Sequence, residues 1–461
     1  MDVHLGVHMV DWLLHIHLLR GWLPTFWLFL TAAVLLATLV VQLGSKHRKK
    51  IPWQILIGIV AGGVGYFITW LISDVFFVFG VSLGYRVITV ISLGIASLGY
   101  LIAALVMTHG YRRVLSAVGI PILILFTLLR VNMVYGEFIL FSSVFGVPVY
   151  PTLNVETVHK ATMTVAEWDA LASAGKTPSH PEKGEVRSIS IKGKQSGFNP
   201  RPADIYLPPA ALSAHPPKLP VLIMLGGQPG SPDRFFTASN IAKTLDAYAK
   251  AHNGLAPIVV SPDQNGSTRN NSLCVDSPVV GNVETYITKD VTNWVNKELP
   301  VDSSVKQWGI GGFSQGGTCA TQLGPRHPEL YGHIIPMDGE IAPTEGSREE
   351  MINRYFNGDE EAYQAQIPIV AIKQHAPSTQ TMFSAAGDQD SHSIGNMHAI
   401  GRAAEEAGMT VKTVITAHSG HDWNTVKTAL PAAIDWLGAQ MGLGTMTTQL
   451  EDYPGITVVT P

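Results

Sequence analysis

The stretch GIGGFSQGGTCA, residues 309–320, decides how this 461-residue chain is read. An apolar run ends in a Gly312-x-Ser314-x-Gly316 pattern, and a helix-forming segment follows. A serine between two glycines suits a sharp strand-to-helix turn, where side chains would collide and where the hydroxyl is lifted above a sheet edge. The bland reading of the same residues is a tight turn with a capping serine. The surroundings favour the first. VRSISIKG, ADIYLPP, LPVLIMLGG, PIVVSPDQNG, HIIPMDG, TMFSAAGDQD and VKTVITAHSG read as strands. FFTASNIAKTLDAYAKAH and ETYITKDVTNWVNKEL read as helices between them. That alternation predicts a mostly parallel sheet flanked by helices.

A serine hydroxyl needs a base to become a nucleophile. In this strand–turn–helix setting the acid and then the histidine follow the serine along the chain. His421, in SGHDW, follows the last of these strands and precedes the last helix, so it is the expected base; His418 is the second choice. The acid belongs at the end of the preceding strand, in AAGDQDSHS, where Asp388 and Asp390 both stand. The Gly-x-x-Asp spacing favours Asp390, with Asp388 the alternative and Asp338 a third candidate. Asp422 adjoins His421 and is discounted, and His392 and His398 read as surface or rim groups. An oxyanion needs two backbone donors. One is the Gln315 amide; the other is expected from LGGQPGS, at Gln228 or Gly227. DQNGS, residues 263–267, reads as a turn. No metal or other cofactor is called for: His4, His8, Asp11 and His15 share a helical stripe that reads as a polar face.

The first third differs in kind. The chain is 46% hydrophobic and 14% charged, against about 25% charged in ordinary soluble domains. The deficit lies before residue 145, where apolar spans at 22–43, 53–72, 87–107 and 114–129 reach membrane-crossing length. The last is short and contains Pro121; it extends through Asn132 if Arg130 snorkels. Basic residues cluster after the first span (Lys46, Arg48, Lys49, Lys50) and after the third (Arg112, Arg113). The positive-inside rule puts those loops in the cytoplasm and the remainder of the chain outside it. There Cys274 and Cys319, the two cysteines, can form a disulfide. Gly58, Gly62 and Gly65 suit close helix packing within the bundle. A net charge of −4 gives no reason to expect nucleic acid. The bilayer is the expected partner. The boundaries expected are a membrane region at 1–135, a linker and entry segment at 136–184, a catalytic domain at 185–442 and a tail at 443–461.

With LGGQPGS, GGFSQGGTCA, AAGDQD and GHDW in chain order, residues 186–437 resemble the putative-esterase branch of the α/β-hydrolase fold, which includes esterase D, feruloyl esterases and the mycolyltransferase antigens of actinobacteria. The resemblance implies a Ser314–Asp390–His421 triad. Gly226 stands where many members carry a histidine. The front end is similar to that of membrane-anchored actinobacterial esterases, some of which are thought to remove aminoacyl groups from phospholipids. The expectation is therefore a membrane-anchored, extracytoplasmic serine esterase acting on a membrane or envelope lipid ester, with aminoacyl-phosphatidylglycerol as the specific case. An acyltransferase using the same triad is one alternative. A non-catalytic binding module on a hydrolase fold is another.

Overall fold

The computed structural model describes residues 12–76, 78, 82–145 and 149–461. They fall into two compact units, Met1–Val147 and Pro148–Pro461. His4, His8 and Asp11 lie outside the described residues.

The first unit contains α1 (Trp22–Leu43), α2 (Ile51–Trp70), α3 (Gly84–Met107) and α4 (Tyr111–Tyr135). Each is long and apolar enough to cross a membrane. Their outer faces carry large apolar side chains: Phe29, Ile59 and Val106 are 67%, 64% and 69% exposed. Such a surface is at home in hydrocarbon, not in water. The fourth helix runs unbroken through Pro121 to Tyr135, so this span is longer than its most apolar core suggests. α2 packs on α3 through small residues. A Cβ at Gly58 would come within 2.7 Å of the Ala96 carbonyl, and one at Gly62 within 2.7 Å of the Ala96 Cβ. Lys50 donates to the Met107 carbonyl at 2.8 Å, and Arg112 to the Val41 carbonyl at 2.8 Å. Both cations thus sit on helix C-terminal carbonyls, where the helix dipole favours them. These contacts also bring the two basic loops to the same end of the bundle.

The second unit is built on one nine-stranded sheet. Its strands are β1 (Glu185–Ile189), β2 (Ala203–Leu207), β3 (Val221–Leu225) and β4 (Ile258–Ser261). After a separate two-stranded pair, β5 (Asp276–Ser277) and β6 (Gly281–Asn282), come β7 (Trp308–Phe313), β8 (His333–Met337), β9 (Thr381–Gly387), β10 (Thr410–Thr416) and β11 (Ile456–Val459). The order is β1-β2-β4-β3-β7-β8-β9-β10-β11. The six strands from β4 to β10 are parallel. β1, β2 and β11 close the edges with antiparallel pairs. β3, β7 and β8 are buried at every residue, as strands covered on both faces must be. Helices α5 (Ile241–Ala251), α6 (Gln315–Arg326), α7 (Ser391–Glu406) and α8 (Trp423–Gln440) flank the sheet. This is an α/β-hydrolase fold following an apolar four-helix region.

Three segments differ from their sequence reading. The helix expected over 235–252 breaks at Asn240, which takes a left-handed conformation (φ 63°) ahead of α5. Within the supposed linker, a helix at Val165–Ser173 begins with a Thr164–Glu167 capping box and buries Trp168 completely. The supposed tail supplies β11, and Asp435 Oδ2 of α8 accepts hydrogen bonds from the Thr447 amide and the Tyr453 hydroxyl. A four-residue edge strand among turn formers carries too short a pattern to be read as one.

Candidate active site

β7 delivers Ser314 to the carboxyl edge of the sheet, between β3 and β8. Ser314 has φ 56° and ψ −118°, a backbone conformation that L residues rarely adopt. The flanking glycines make this turn sterically feasible. A Cβ at Gly316 would lie 2.1 Å from the Leu225 carbonyl oxygen, and one at Gly312 would lie 2.4 Å from it. The turn is held by the Ser314 amide, which donates to the Met337 carbonyl at 2.9 Å.

Three side chains from distant parts of the chain meet here. His421 Nε2 lies 2.8 Å from Ser314 Oγ, and its Nδ1 lies 3.0 Å from Asp390 Oδ2. Asp390 is also the N-cap of α7: its Oδ1 accepts the Ser393 amide at 3.1 Å, and its Oδ2 accepts the Ser393 hydroxyl at 2.6 Å. A helix N-terminus favours a carboxylate, so the helix that orients the acid also stabilises its charge. Ser393 Oγ sits 3.2 Å from His421 Nδ1 as well, which makes it a member of the cluster that sequence reasoning missed. Its signal was present, in the spacing between an N-cap aspartate and the third helical residue. Phe313 and Trp423 pack against each other at 4.7 Å, and Phe313 lies 5.4 Å from the imidazole.

The other candidate acids go elsewhere. Asp388 accepts the amides of His418 and Ser419, at 2.9 and 3.1 Å. It braces the loop that carries His421 and makes no bond to the imidazole. Asp422 caps α8 through the Asn424 amide. Asp338, at the end of β8, is fully buried beside the cluster, and one of its oxygens lies within 4.8 Å of the ligand atoms of Asp390 and His421. His392 bonds Glu340 at 3.1 Å.

Electrostatics follow from this crowding. Burial disfavours the charged imidazole, but the hydrogen bond to Asp390 and the charges of Asp338, Asp390 and Glu340 outweigh it, holding His421 above the ordinary histidine range. Burial likewise opposes the Asp390 charge, and here bonds from His421 and Ser393 prevail, so its pKa is lowered.

Beside Ser314, Gln315 opens α6, and a first-turn amide has no acceptor within its own helix. Gly227 backs directly onto the serine: a Cβ there would lie 3.5 Å from the Ser314 Cβ. Gln228 is the next residue and is joined to Pro229 by a cis bond. The Gln315 side chain donates to Asn271 Oδ1 at 2.6 Å and accepts from Asn265 at 2.8 Å, while Gln264 donates to the Gly226 carbonyl at 2.7 Å. The DQNGS segment therefore ties the Gly226 loop to the residue after the serine, a role that turn-like composition conceals. Its Asp263 pairs with Arg201 at 2.8 Å. A Cys274–Cys319 disulfide links this region to α6.

Residues 199–437 match the family described as putative esterase. The chain is 32% identical over 346 residues to an uncharacterized protein of Corynebacterium glutamicum, a match covering 72% of this chain and 78% of that protein. Among solved structures it is similar to an S-formylglutathione hydrolase from Agrobacterium tumefaciens, with 16% identity, 57% of this chain and 99% of the other covered, and a TM-score of 0.48. A ferulic acid esterase follows at 18% identity, with 56% and 98% covered and a TM-score of 0.47. The MPT51 protein of Mycobacterium tuberculosis matches at 16% identity, with 56% and 98% covered and a TM-score of 0.40. From its matched residues, this chain belongs to the putative esterase family.

Proposed function

We propose that this protein is a membrane-anchored serine ester hydrolase acting outside the cytoplasmic membrane. The observation that carries the reading is the unbroken hydrogen-bond chain Ser314–His421–Asp390. In the proposed reaction Ser314 Oγ attacks the ester carbonyl while His421 Nε2 takes its proton. The amides of Gln315 and of Gln228 or Gly227 receive the negative oxygen. The C–O bond breaks, His421 returns the proton to the departing alcohol, and the acyl group remains on Ser314. Water, deprotonated by His421, then releases the acid and restores the serine.

Tethering by four apolar helices favours a lipid or envelope ester over a freely diffusing one. An aminoacyl ester of phosphatidylglycerol is the proposed substrate. Extracytoplasmic placement is supported by the basic loops at one end of the bundle and by the disulfide, which persists in oxidising compartments.

The test incubates purified protein and its Ser314→Ala variant with native membrane lipids and follows ester loss by mass spectrometry. The expected outcome is loss of one lipid class with the wild type alone. Survival of every ester, together with no labelling of Ser314 by a fluorophosphonate, would point to a non-catalytic module. Transfer of the acyl group to an added alcohol in preference to water would point to an acyltransferase.

A further inference from the structure

Asp338 is a buried acid that the proposed reaction leaves unused. It stands at the end of β8, between the strand that carries Ser314 and the strand that leads to Asp390. Its backbone sits at φ 48°, in the left-handed region, with its amide donating a hydrogen bond to the Ala385 carbonyl at 2.9 Å. Its Oδ1 accepts the Gly387 amide at 3.1 Å, while Oδ2 is buried with no hydrogen-bond partner among the described residues. A buried carboxylate oxygen without a partner is costly, and a strained backbone adds to that cost. Both become intelligible if a partner arrives during the reaction. A compensating charge does: when His421 takes the Ser314 proton, an imidazolium appears with a ring nitrogen within 4.8 Å of an Asp338 oxygen.

We propose that Asp338 is a second positioning acid, which shares with Asp390 the task of holding and stabilising the protonated form of His421. This inference rests on the reading of His421 as the base for Ser314. The groups facing the pair are few. Asp390 bonds the imidazole. Glu340 acts on it from the β8 loop, with its Oε2 engaged by His392 and Asn396. The charge of Asp422, which feels Lys427, also acts on Asp338. Glu340 Oε1 is likewise buried without a partner among the described residues, so what sets Asp338 apart is proximity: one of its oxygens lies within 4.8 Å of the ligand atoms of both Asp390 and His421. Burial holds its own proton more tightly than usual, so its charge is expressed most fully when the imidazolium is beside it.

The test measures the rate of fluorophosphonate labelling of Ser314 against pH in the full-length protein in detergent. That rate requires neutral His421 and no knowledge of the ester. Asn at position 338 keeps an acceptor for the Gly387 amide. Removing the negative charge lowers the pKa of the histidine, so in Asp338→Asn the acid limb of the profile moves down by about one pH unit, and the plateau rate falls. In Asp390→Ala, with Asp338 still in place, the loss stays below the roughly 10⁴-fold seen when a lone orienting aspartate is disabled. The limb of that variant remains above the ordinary histidine value. The Asp338→Asn/Asp390→Ala double variant loses at least a further tenfold. An acid limb unmoved in Asp338→Asn overturns the inference. If that variant does not fold, an Asp390→Ala limb at or below the ordinary histidine value overturns it instead. Wild-type protein that is not labelled at any pH overturns the proposed function as well, so the two failures are distinguishable.

Discussion

Two aspartates two positions apart, Asp388 and Asp390, have different duties, and the backbone between them decides which is which. Asp390 caps α7 and faces the imidazole, whereas Asp388 points back to the amides of residues 418 and 419. Replacing Asp388 with alanine removes an acceptor from two backbone amides. Stability should drop by about 1 kcal/mol, measured by denaturant unfolding, with Ser314 still labelled at a rate within an order of magnitude of wild type. Equal loss of labelling in Asp388→Ala and Asp390→Ala would contradict the assignment. At this scale the sequence narrowed the acid to a short segment. Gly-x-x-Asp spacing ranked the pair, but only the hydrogen bonds of each carboxylate separate them. Ser393 shows the same limit: its spacing from Asp390 is that of a helix cap, and nothing in the spacing shows that the capped aspartate also faces a histidine 31 residues on.

Among the elements, α6 carries the most constraint. Its first residue follows the strained serine, and its side chain meets Asn265 and Asn271 from a loop some 50 residues earlier. The Cys274–Cys319 bridge fastens that same loop to the helix. Closing a loop of this length contributes about 4 kcal/mol in the chain-entropy model. Cys274→Ser is therefore expected to lower Tm under non-reducing conditions, and a reductant should bring the wild type down to the same value. If the wild type does not respond to reductant, the bridge is not what secures the loop. The strand, turn and helix around Ser314 were legible because local steric rules act on adjacent residues. The loop that braces them was not, because Gln264 and Asn265 read as turn formers until their amide groups are seen to pair with Gly226 and Gln315.

For the whole molecule, the distribution of Lys and Arg makes a claim about sidedness. Lys49 lies in the first basic loop, and Lys176 is an exposed residue of the second unit. A Lys49→Cys variant is expected to react with a membrane-impermeant maleimide only after the cytoplasmic membrane is opened, and a Lys176→Cys variant in intact cells. The reverse pattern would place the serine domain in the cytoplasm. The apolar spans, the alternating strands and helices, and the G-x-S-x-G turn are properties of short stretches of chain, set by hydropathy, periodicity and backbone sterics, and the sequence determined them alone. The place of residues 443–461 in the sheet, the acid that meets His421, and the burial of Asp338 without a second partner depend on which distant segments the sheet order brings together. That convergence is governed by packing and hydrogen bonding across the whole domain, so only the tertiary structure could decide it.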